Sequence, residues 1–184
     1  MKTIKKLGLV LSLAIATILS SCSKDSDGGS SLAIPATGTY NNAKVDGANF
    51  TTVIAGQSSA NASIIGTGEG NIITVLGTSV GAITGTTFSS STISITLEGI
   101  TAPGTYAVND NRKVTLGYLF TPDSTTALTT AYITGDCEGT TGSVTITTLT
   151  ATKVEGTFTF SAKKEDTCNE TKTITSGSFR AVFM

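Results

Sequence analysis

Thr92–Glu98 reads TISITLE, with Ile93, Ile95 and Leu97 alternating with Thr92, Ser94, Thr96 and Glu98. A strand turns successive side chains to opposite faces, so a period of two makes one apolar and one polar face; a helix would scatter the same three apolar groups around its circumference. The rhythm recurs outward from this stretch, in Val114, Leu116, Tyr118 and Phe120, in Val144-Thr145-Ile146, in Val154-Glu155-Gly156-Thr157-Phe158-Thr159-Phe160, and in Phe179, Ala181 and Phe183. Polar or glycine-bearing breaks separate the runs: Asp46-Gly47, Gly68-Glu69-Gly70, Pro103-Gly104, Asn109-Asp110-Asn111, Pro122-Asp123 and Gly139-Thr140-Thr141-Gly142. Short alternating runs with regular turns predict an all-β fold, a single antiparallel β-sandwich or open β-barrel. No amphipathic helix is legible in the region from about residue 36 to 184, whose size suits one domain with one core.

Composition supports this reading. Threonine, serine, glycine, valine and isoleucine dominate, and β-branched residues fit a pleated surface while Gly and Asn fit turns. Val45-Asp46-Gly47-Ala48 predicts a tight hairpin, because Gly accepts the positive φ that a two-residue turn demands. The alternating threonines predict a hydroxyl-covered, weakly charged outer sheet face, which is also a surface that a partner strand or a glycan could touch.

The N-terminus has a different character. Lys2, Lys5 and Lys6 precede the apolar run Leu7–Ile18, which leads into Leu19-Ser20-Ser21-Cys22. As a helix the run would rise about 18 Å, short of the ~30 Å of hydrocarbon that a spanning segment crosses, so a cleaved export signal is expected. LSSC resembles a bacterial lipobox, and that resemblance implies cleavage before Cys22, a diacylglycerol on its sulfur and an acylated amine. Burial of lipid at ~0.8 kcal/mol per CH₂ then anchors the protein through two or three acyl chains. The expected organisation is a signal peptide over residues 1–21, a lipidated Cys22 with a flexible Ser/Gly/Asp tether over 22–35, and the β domain over 36–184. The acidic SKDSD after Cys22 resembles the surface-export signal of Bacteroidota lipoproteins and reads equally as solvated linker, so the expectation is an outer-membrane lipoprotein with either cell-surface or periplasmic exposure left open.

Loss of three lysines with the signal leaves nine of the 12 basic residues against 13 acidic ones, a balance of −4 with the amine acylated. With no basic stripe, nucleic acid is not an expected partner. Cys137 and Cys168 remain, and a cysteine pair in an exported chain predicts a disulfide closing a loop of about 32 residues.

The chain contains no histidine, which excludes Ser-His-Asp and Cys-His catalysis and His-ligated zinc or haem. No Gly-rich phosphate loop ending in Lys-Ser or Lys-Thr occurs, so no cofactor is expected. Asp136 and Glu138 flank Cys137, with Glu69 and Glu98 elsewhere; a glycosidase needs two carboxyls about 5–9.5 Å apart beside a sugar cleft, and a strand end favours solvated carboxylates. Asn109-Asp110-Asn111 has oxygen ligands but no surrounding acidic cluster, so it reads as a turn and no metal site is expected. Asp123-Ser124-Thr125 resembles a Bacteroides-type O-glycosylation signal, with Ser124 as acceptor. For stacking on a sugar there are no tryptophans and only Tyr40, Tyr106, Tyr118 and Tyr132 among the tyrosines.

LSSCSKDSD, the AKVDGANFT hairpin and GSVTITTLTATKVEGTFTFSA with ITSGSFRAVF together resemble an uncharacterised family of Bacteroidota lipoproteins built on a domain of unknown function. The resemblance implies an all-β lipoprotein and carries no catalytic residue. The expected function is that of a lipid-anchored, non-enzymatic envelope protein with a binding or structural β domain. The alternatives are a glycan- or small-ligand-binding lipoprotein of a nutrient-uptake system, identifiable by an exposed, coplanar tyrosine pair, and a fimbrial or adhesin subunit using strand exchange.

Overall fold

A computed structural model of the chain describes residues 37–183 apart from 55–56, 109–112 and 126–127. Cys22, the signal segment, the tether and Asn109-Asp110-Asn111 lie outside the described residues. Among the described residues thirteen strands and one 3₁₀ turn follow one another: β1 (Tyr40–Val45), β2 (Ala48–Phe50), β3 (Val53–Ile54), β4 (Gln57–Ser58), β5 (Ala60–Ile65), the turn Gly68–Gly70, β6 (Ile72–Thr84), β7 (Thr87–Glu98), β8 (Gly104–Ala107), β9 (Val114–Thr121), β10 (Thr130–Ile133), β11 (Thr141–Leu149), β12 (Lys153–Lys164) and β13 (Thr171–Val182). Among the described residues there is no α-helix, and none that is long and apolar enough to cross a membrane.

Eleven strands make one antiparallel sheet in the order β2-β1-β13-β12-β10-β9-β7-β6-β5; β3 and β4 pair with each other. The sheet forks at β12. One edge of β12 pairs with β13, and the other is shared, Val154–Ser161 bonding to β11 and Lys163–Lys164 to β10. β8 then adds to the far side of β11. The all-β antiparallel fold expected from the pattern forms as a single unclosed sheet that bends over its own apolar face and brings β1 and β13 against β5 and β6, as in a sandwich.

The bend is visible where β1 crosses β6 and β7. The Asn41 side-chain amide donates to the Ile93 carbonyl at 3.3 Å, and a Cβ at Gly77 would lie 2.5 Å from Asn41 Cβ and 2.7 Å from Thr52 Cγ2. Glycine lets the two backbones approach there, and β1 covers the inner face of β6. The inner positions of the period-two runs form one core, with Ile73, Val75, Ile93, Ile95, Leu97 and Leu116 all fully buried and Phe179 from β13 nearly so. β6, with Ile72 and Leu76 on the outer face opposite Glu98 and Ser94, is the strand whose alternation is least visible in the sequence.

The Asp-Gly hairpin forms as expected. Asp46 and Gly47 both take positive φ (48° and 86°), and Val45 pairs with Ala48 across a two-residue turn of the kind that matches strand twist. The outer face of β11–β13 is the expected hydroxyl surface: Thr145 opposes Thr157, Ser143 opposes Thr159, and Ser161 opposes Thr173. Cys137 and Cys168 are bonded, with Cα atoms 5.7 Å apart, and tie the β10–β11 turn to the β12–β13 turn.

Candidate functional site

The inner face changes chemistry at one end of the sheet. Cross-strand partners in an antiparallel pair share a face, and three successive rows can be followed across β6, β7 and β9. The first is Val75–Ile95–Leu116 and the second Gly77–Ile93–Tyr118, both buried. The third is Ser79–Ser91–Phe120. The inward register is unbroken, yet aliphatic side chains give way to hydroxyls, and Phe120 stands 37 % exposed. One step further along β7, Ser89 continues the series beside a bulge in β6 between Val80 and Ile83.

These residues line a cleft of about 390 Å³, closed on its other side by the β1–β2 hairpin and by Lys172 of β13. That volume falls at the lower end of the ~300–1,000 Å³ found for small-molecule sites. Buried Phe50 and Tyr118 form its floor. The hydroxyls of Ser79, Ser89 and Ser91 make no hydrogen bond to another described residue. Two other grooves of similar size, about 410 and 400 Å³, run over the outer face of β11–β13, but their aromatic members, Phe158 and Phe160, are already spent in the core.

The rim carries the charges. Asp46 uses one carboxylate oxygen to accept from Lys172 Nζ at 2.7 Å and the other to accept from the Thr173 amide at 2.9 Å. Partial burial pushes its pKa up, but these hydrogen bonds and the ammonium's charge outweigh it and hold the carboxyl below its ordinary range. The hydrogen bond to Asp46, opposed by desolvation, raises Lys172. Lys172 also lies 5.9 Å from the Tyr132 ring centre, and Tyr132 donates its hydroxyl to Glu170 at 3.0 Å. Burial, reinforced by that carboxylate, raises the Tyr132 phenol. The shifts follow from burial together with the Asp46–Lys172 ion pair and the Tyr132–Glu170 hydrogen bond.

Of the tyrosines and carboxylates singled out from sequence, Tyr118 lies in the cleft floor and the others are placed elsewhere. Tyr40, Tyr118 and Tyr132 are buried, the Tyr118 and Tyr132 rings are tilted by 48° with centres 6.0 Å apart, and half-buried Tyr106 donates its hydroxyl to the Ala102 carbonyl. The tyrosines therefore make no exposed coplanar pair; of the cleft's aromatic residues Phe120 is the part-exposed one, above buried Phe50 and Tyr118. Asp136 and Glu138 are exposed in the turn that holds Cys137, Glu69 lies in the 3₁₀ turn and Glu98 ends β7. Among the described residues no group of three or more His, Cys, Asp or Glu is placed to hold a metal. Ser124 is exposed; its hydroxyl accepts from the Phe88 amide at 3.2 Å, while Asp123 closes the turn by accepting from the Thr125 amide and hydroxyl at 2.8 Å. The cleft was not read from the sequence, because Ser89 and Ser91 within Phe88-Ser89-Ser90-Ser91 look like solvated positions until the strand register is known.

A family described as a domain of unknown function (DUF6252) matches residues 77–182, more than half of the 184. The match runs from within β6 to the end of β13, so it includes Ser79, Ser91, Phe120, Lys172 and the disulfide, and it begins after the Asp46 hairpin. No curated protein and no solved structure matches the chain.

Proposed function

The chain belongs to this family of unknown function, and from that premise we propose that it is a lipid-anchored cell-envelope protein whose β domain acts as a non-enzymatic binding module, with the cleft at the end of the sheet as its binding site. The observation that carries the anchor is Cys22 in LSSC, directly after a short apolar segment with a lysine-rich start. The Cys137–Cys168 bond supports an exported, oxidising location, since disulfides persist there and are rare in reducing compartments. The tether after Cys22 would let the domain stand off an outer membrane, and the SKDSD run favours its outer face. The non-enzymatic reading is supported by the dispersal of Asp136, Glu138, Glu69 and Glu98 over exposed turns and strand ends rather than around the cleft.

Metabolic labelling with an alkyne fatty acid tests the anchor. The wild-type chain takes up the label and sediments with membranes, and Cys22→Ala abolishes both. Equal labelling of the two, or recovery of the wild type in the soluble fraction, rules the anchor out. Protease treatment of intact against lysed cells then reports the face: digestion in intact cells places the domain outside, and protection until lysis places it in the periplasm. Modification of Ser124 belongs to the same proposal and predicts hexose increments in the intact mass that Ser124→Ala removes.

A further inference from the structure

We infer that the cleft takes an uncharged saccharide, one ring packing on Phe120 and its hydroxyls meeting the serine ladder of β6 and β7. This rests on the cleft being a binding site, and it adds the class of ligand. The argument begins with what the wall lacks. The covered inner positions of β6 and β7 are Ile73, Val75, Gly77, Ile93, Ile95 and Leu97, none with a polar side chain, and the series becomes Ser79, Ser89 and Ser91 at the cleft. A purely apolar ligand would strand these hydroxyls without partners, at the cost that any buried unpaired polar group carries.

An ionic ligand is disfavoured for a different reason. Asp46 and Lys172 already neutralise each other at 2.7 Å, and the Thr173 amide takes the second Asp46 oxygen, so the described residues that line the rim offer neither an unpaired cation nor an unpaired anion. What remains is a set of hydroxyls that both donate and accept, carboxylate lone pairs beyond those already used, and the half-exposed ring of Phe120. A sugar matches each of these: its C–H face packs on an aromatic ring and its hydroxyls donate and accept in turn. The volume of about 390 Å³ restricts the fit to a short segment.

The test uses the full chain, solubilised in a polyoxyethylene detergent without a sugar headgroup. Maltotriose, cellotriose, chitotriose and mannotriose are titrated by saturation-transfer NMR, with glucuronate and laurate as the charged and apolar comparators. At least one neutral trisaccharide is expected to bind, Phe120→Ala to weaken it about tenfold or more, and Ser91→Val to weaken it by a smaller factor with folding intact, while Thr157→Val on the outer face leaves it unchanged. Binding of laurate or glucuronate alone, sensitive to Phe120→Ala, overturns the saccharide inference and leaves the cleft a binding site. Saccharide binding that ignores both Phe120 and Ser91 overturns the site. Absence of binding by every compound overturns the saccharide inference and the binding reading of the cleft together.

Discussion

Glu155 accepts from Arg180 Nε at 2.6 Å and lies 3.0 Å from Lys153 Nζ, and these hydrogen bonds, with burial opposing them, bring its carboxyl from 4.5 down to about 2. A carboxyl whose folded pKa lies below its unfolded one binds fewer protons in the native state. Its stabilisation is therefore complete above the unfolded value near 4.5 and lost as pH falls through about 2. Glu155→Gln is expected to lower stability at pH 7 by on the order of 1–2 kcal/mol once solvent screening is allowed for. The difference should shrink below pH 4.5 and vanish near pH 2, as followed by urea titrations at several pH values. A constant difference across that range would mean that Gln disturbs packing rather than charge. Asp46 follows the same sign, and it also joins a turn conformation to the cleft rim. Its place in the hairpin was legible from Asp-Gly, but its partner Lys172 lies 126 positions away and only the fold brings them together.

At the scale of elements, β12 bears the most constraint, because it pairs with three strands, β13 along one edge and β11 and β10 along the other. Gly156 faces the core between Ile146 and Phe179 in the two ladders, and a Cβ there would overlap the Thr145 carbonyl oxygen and come within 3.0 Å of the Phe179 ring. Gly156→Ala should cost about 1–3 kcal/mol through overpacking and a forced shift of β11. Thermal or urea denaturation measures it, and a neutral result would show that β11 yields easily. The period of two identified β7, β9 and β12 without ambiguity. β6 was harder, because apolar residues occupy both of its faces. Bulges leave little trace in sequence. Ser176, at φ 52°, is the extra residue in the ladders of β13 with both β12 and β1, and its local mark is the adjacent Gly177 inside a strand pattern.

Across the whole molecule, the disulfide joins two turns at sequence separation 31 and shortens the loops of the unfolded chain. Chain-entropy arithmetic assigns it roughly 3–4 kcal/mol. Replacing both cysteines by serine should lower the melting temperature by several degrees at least and leave the sheet intact by circular dichroism. An unchanged melting temperature would mean that the open sheet confines those turns without the bond. Sequence alone determined the strand class, the two-residue hairpin, the cysteine pair and the expectation of a lipid anchor, because each depends on neighbours in the chain or on a residue type too scarce to be misread. The tertiary structure decided that one open sheet forks and bends rather than closing, and that Ser79, Ser91 and Phe120 share one face at its end. Period-two alternation states that a residue lies on one of two faces, but which face is inward, and where that face stops being covered, depends on strands far away in sequence.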